Sequence, residues 1–129
     1  MSLAQHRLLK SADAAFGEAL GISMTQLGAL FILERDPGAS PKQVSETLGI
    51  NKSATTMLVD RMEQAGLVRR EPSDDDHRAI RLFATSAGLV KAAAARPILG
   101  RLSRKLMLPF NESEMAVVAR FLESILERF

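Results

Sequence analysis

Lys52, Ser53, Thr55 and Thr56 place one cation and three short hydroxyls at the start of a segment with helical spacing. Such groups can donate to and accept from base edges and phosphate oxygens, and the positive end of a helix dipole favours the same anions. A blander reading also fits, because Ser and Thr near helix starts often serve only as caps. A second concentration of charge is the run Asp74-Asp75-Asp76-His77-Arg78. Asp74 and Asp75 suit turn formation. Catalysis is a poor match, because acids and a histidine on a tip open to water lack a preorganised pocket. Metal binding is equally poor: the chain has no cysteine, and neither His6 nor His77 has a second histidine within helical reach. No metal and no cofactor is therefore expected.

The elements that must position these groups can be read from the spacing of apolar residues and caps. Residues 5–20 carry Leu8, Leu9, Ala12, Ala15, Phe16, Ala19 and Leu20 as one stripe, and Gly21 ends that helix. Ser23 with Gln26 has capping-box spacing and opens a helix over about 24–35, which Pro37 and Gly38 break. Ser40, Pro41 and Gln43 repeat that start, with Val44 and Leu48 as apolar positions and Gly49 as the stop. Asn51 then caps a further helix from about Lys52 to Ala65. Two helices joined by so short a turn cross steeply, which is a helix-turn-helix arrangement. A step of about 100° per residue places Ala54, Leu58, Met62 and Ala65 on the buried face of the second of these, with Lys52, Ser53 and Thr56 opposite, followed by Asp60 and Glu63.

After Gly66 the period shortens to two, giving strands over 67–71 and 79–84 around a turn-rich tip. A hairpin directly after the second helix is a wing. Thr85 caps a long helix over 86–107, where Pro97 is expected to introduce a kink. Asn111 and Glu114 have the box spacing again, before a final helix striped by Met115, Val118, Phe121, Leu122, Ile125, Leu126 and Phe129. The fold class expected is thus mainly α with a small β-hairpin wing: one domain over 1–129, a winged helix-turn-helix region over 23–84, and helices over 5–20 and 86–129 left for dimerisation. Those apolar stripes are broad for a chain this small, which supports an interface.

With 129 residues, 47% apolar and 25% charged, the composition is that of an ordinary globular domain. No apolar run approaches the length that spans a bilayer and no leader pattern opens the chain, so no membrane association and a cytoplasmic location are expected. The net charge of +2 decides little, but its distribution is uneven. No acid occurs from His77 to Asn111, a stretch holding Arg78, Arg81, Lys91, Arg96, Arg101, Arg104 and Lys105. A solvated face and a phosphate-facing surface both accommodate it.

The segments VSETLGINKSATTMLVDRMEQAGLVRR and DHRAIRLFATSAG resemble the MarR family of winged helix-turn-helix transcription regulators. In that family the wing commonly carries Asp-x-Arg and then Thr-x-x-Gly, and Asp76, Arg78, Thr85 and Gly88 match the pattern. The resemblance implies that Arg78 enters a minor groove with Asp76 steering its guanidinium, as the negative potential of a narrow groove favours. It also implies a homodimer in which the first, fifth and last helices intertwine. Two copies would then present their recognition helices about 34 Å apart and read a pseudo-palindromic operator in double-stranded DNA. This chain departs from the family at Met57, where a basic residue is common, and at Ala84, where a larger aliphatic is usual.

These readings converge on a dimeric DNA-binding regulator, a repressor that a small aromatic or apolar acid would release. Phe16, Met24 and Phe31 are the candidate lining of a pocket for that acid, or simply core. A winged-helix module that binds another protein is the alternative, kept alive by Asp60 and Glu63 on the exposed face.

Overall fold

Helix starts in this chain are set by reciprocal hydrogen bonds. In the computed structural model, which describes residues 2–73 and 79–129, Ser23 Oγ accepts from the Gln26 backbone N–H at 3.1 Å while the Ser23 N–H donates to Gln26 Oε1 at 2.9 Å. Ser40 with Gln43 and Asn111 with Glu114 close in the same way. Each box satisfies donors that a helix start otherwise leaves orphaned, so the polypeptide commits to helix at those points.

Among the described residues the chain forms helices α1 (Leu3–Leu20), α2 (Met24–Arg35), α3 (Pro41–Leu48) and α4 (Lys52–Gln64), then strands β1 (Val68–Pro72) and β2 (Ile80–Ala84), then helices α5 (Ser86–Met107) and α6 (Glu112–Arg128). The strands pair antiparallel in the register Val68↔Ala84 to Pro72↔Ile80. The mainly helical class with a two-stranded wing is as expected, and the helix limits differ from the expected ones by a residue or two. The proline expected to kink α5 lies inside a helix assigned as one element.

The chain divides into two compact units, Met1–Arg96 and Pro97–Phe129. In the first, Phe16, Leu27, Leu30, Val44, Met62 and Leu82 are fully buried and draw together α1 to α4 and the hairpin. Helix ends are tied into this unit by side chains. Asp13 Oδ1 accepts from the Met24 N–H at 2.7 Å, and the Lys91 ammonium donates to the Leu20 carbonyl at the negative end of α1. The second unit holds the end of α5 and all of α6, which has no buried residue. Its apolar stripe is open, with Phe121 64% and Leu126 84% exposed. No single helix among the described residues is long and apolar enough to cross a membrane.

The hairpin is anchored at both ends of its base. Ala39, in the α2–α3 connection, forms a bridge with Leu82: the Leu82 N–H donates to the Ala39 carbonyl and the Gly38 N–H to the Leu82 carbonyl, both at 2.9 Å. This third, one-residue rung carries no periodicity and was not foreseen. At the other end Thr85 donates its N–H to the Leu67 carbonyl and its hydroxyl to the Gly66 carbonyl, and Thr85 Oγ1 accepts from the Gly88 N–H at 3.1 Å. Gly88 is required there by space, since a β-carbon would collide with the Leu67 carbonyl oxygen and with Leu30.

Candidate nucleic-acid interface

The turn between α3 and α4 fixes how the recognition helix is presented. Gly49 adopts φ 68°, the left-handed conformation that ends α3. Ser45 Oγ donates to the Ile50 carbonyl at 2.7 Å, and Asn51 Oδ1 accepts from the Ala54 N–H at 2.8 Å to open α4. The first turn of α4 therefore begins after a three-residue turn, Gly49 to Asn51, with its dipole end and its early side chains on one outer surface.

Lys52, Ser53 and Thr56 are exposed on that surface. Thr56 Oγ1 donates to the Lys52 carbonyl at 3.0 Å, which leaves its lone pairs and methyl group available to a ligand. Thr55 corrects the sequence reading. It is 2% exposed and its hydroxyl donates to the Asn51 carbonyl at 2.9 Å, so it is packed into the core at the margin of the cleft between α3 and α4 and is not an open contact. The buried stripe of α4 is Thr55, Leu58, Val59 and Met62, rotated from the expected one so that Ala54 and Ala65 are outside. The physical reason is volume: the larger Val59 and Thr55 fill the space beside Leu58 and Met62, and two alanines give up less by facing water. Asp76 and Arg78 lie outside the described residues.

A cleft of about 430 Å³ opens between α3, α4 and the hairpin, with Lys42, Lys52, Thr56 and Arg70 as polar lining and Val59 and Ile80 as apolar lining. Arg70 carries the main electrostatic feature of this side. Its guanidinium donates to Asp60 Oδ1 at 2.6 Å and to Glu63 Oε1 at 2.9 Å. The Asp60 hydrogen bond raises the pKa of Arg70 above its ordinary value; partial burial opposes the rise and the Glu63 charge supports it, so the group is cationic at every accessible pH. Sequence reasoning missed this residue, although alternation along a strand turns Arg69 and Arg70 to opposite faces and so brings one of them toward α4. Arg69 instead pairs with Glu71 and lies 4.4 Å from the Phe83 ring centroid.

The residues expected to line an effector pocket are arranged differently. Phe16 is completely enclosed, so it packs the core of the first unit and does not line a pocket. Met24 is half-buried at the start of α2, and Phe31, also half-buried, has the Arg96 guanidinium 5.0 Å from its ring centroid, with Arg96 paired to Glu34. Among the described residues no three His, Asp or Glu side chains form a group that could hold a metal ion.

Comparison with known proteins places this geometry. The sequence profile described as MarR family matches residues 20–79, which spans α2, α3, α4 and β1. Over that region the chain is of the MarR family. The HTH-type transcriptional regulator PecS of Dickeya dadantii is 35% identical over 77 residues, covering 58% of this chain and 45% of PecS. The chain spans about half the length of the curated relatives it matches. The fold agrees with that of S. aureus MepR solved as a DNA complex, at a TM-score of 0.88 and 19% identity over 98% of this chain and 93% of the other. It agrees also with the PcaV transcriptional regulator of Streptomyces coelicolor, solved with its natural ligand, at a TM-score of 0.83 and 20% identity over 97% and 90% of the two chains. The winged helix-turn-helix of this chain is thus the MarR fold.

Proposed function

We propose that the protein is a sequence-specific double-stranded DNA-binding transcriptional regulator, a ligand-responsive repressor that acts as a homodimer in the cytoplasm. The observation that carries this reading is the start of α4, where Lys52, Ser53 and Thr56 stand exposed beside a hairpin anchored to the same unit. The first two turns of α4 enter a major groove. Thr56 offers acceptor lone pairs and a methyl group to base edges, while Lys52 and the helix dipole take phosphate. Arg78, oriented by Asp76, takes the neighbouring minor groove. The likeness to MepR in its DNA complex supports the mode of docking.

The homodimer is supported by the open stripe of α6, whose apolar side chains a second copy would cover. A two-fold pair of recognition helices reads two half-sites about one helical turn apart, and so a pseudo-palindromic operator. Release by a small aromatic or apolar acid is supported by the likeness to PcaV with its ligand, and Met24 and Phe31 remain the candidate contacts.

Fluorescence anisotropy with duplex fragments from upstream of the protein's own coding sequence tests the reading. Binding should weaken steeply with salt, log affinity falling by about 0.9 per phosphate contacted for each unit of log salt concentration. Absent binding, or binding indifferent to salt, contradicts it.

A further inference from the structure

Asp60 and Glu63 lie one turn apart on α4, beyond the residues assigned to the groove, and their side chains are 52% and 44% exposed. Two carboxylates there face a polyanion that carries one charge per about 1.7 Å of helix axis. Arg70 reaches them from β1, seven and ten residues further along the chain, and its side chain is only 28% exposed. It meets both carboxylates at once, and the three formal charges sum to one negative where the carboxylates alone would give two. A phosphate would have to compete with two short charge-assisted hydrogen bonds that already fix the plane of the guanidinium.

We propose that Arg70 is a positioning residue for DNA binding: it straps β1 to α4 and cancels carboxylate charge that α4 would otherwise turn toward phosphate, and it makes no phosphate contact itself. The wing is thereby held at a fixed place relative to the start of α4, and the helix keeps its acids with less repulsion of the duplex. This rests on the DNA-binding reading above.

The experiment compares duplex affinity, by anisotropy, for the wild-type chain, for Arg70→Met, and for the triple variant Asp60→Asn, Glu63→Gln, Arg70→Met, with circular dichroism confirming that each is folded. Arg70→Met should bind about tenfold more weakly, and the triple variant should recover only to about threefold below wild type, because the repulsion has gone with its source while the strap is still missing. A triple variant as weak as Arg70→Met marks a direct phosphate contact and overturns the proposal, as does an Arg70→Met chain that binds like wild type. A wild-type chain that binds no duplex overturns the DNA-binding reading itself, and the strap with it. A second measurement needs no variant: in nitrogen-15 spectra the Arg70 Nε–H resonance should keep its position when duplex is added, and a large shift contradicts the strap.

Discussion

Thr55 and Thr56 show how one residue step on a helix separates a buried hydroxyl from an open one. Both hydroxyls donate to a carbonyl one turn back, but Thr55 is enclosed and Thr56 is open. Thr55→Val should leave duplex affinity unchanged and cost about 1 kcal/mol of stability, since the Asn51 carbonyl still accepts from the Thr55 N–H at 3.0 Å. Urea denaturation and anisotropy measure the two quantities. Thr56→Ala should do the opposite, preserving stability while lowering discrimination between cognate and substituted duplexes by about 1–3 kcal/mol. Arg78→Ala should weaken binding by about 1–3 kcal/mol, most on operators with an A-tract beside the half-site. The sequence distinguishes polar from apolar residues on α4 well, but its four-residue spacing admits two neighbouring stripes. Ala54 and Thr55 are both small, and only the neighbours that fill the core decide between them.

At the level of elements, boundaries were legible because caps are local chemistry. Ser23 with Gln26, Ser40 with Gln43 and Asn111 with Glu114 all close as their spacing implies. Contacts between elements were not legible, because they join residues far apart in the chain that share no pattern. The Ala39–Leu82 rung and the Arg70 pairs are of this kind. The Thr85-x-x-Gly88 pattern was visible as a family likeness, and the structure supplies its cause: Gly88 admits the Leu67 carbonyl into the first turn of α5. Gly88→Val should therefore destabilise the first unit by about 1–3 kcal/mol and loosen the base of the wing, seen as a lower thermal midpoint together with weaker duplex binding.

In the molecule as a whole, one chain leaves an apolar surface open. Helix α6 carries Val118, Phe121, Leu122, Ile125 and Leu126 exposed on a continuous stripe, a pattern whose cost in water the proposed second copy would remove. Phe121→Glu should shift the chain to monomer in sedimentation equilibrium and abolish tight binding to a two-site operator while leaving the first unit folded. The central claim is that two chains set two α4 starts into successive major grooves. Methylation interference at guanine N7 on a selected duplex tests it most directly. Two symmetric blocks with centres about 10 base pairs apart are expected, each weakened in Thr56→Ala. A single block, or no interference at guanine N7, would contradict it.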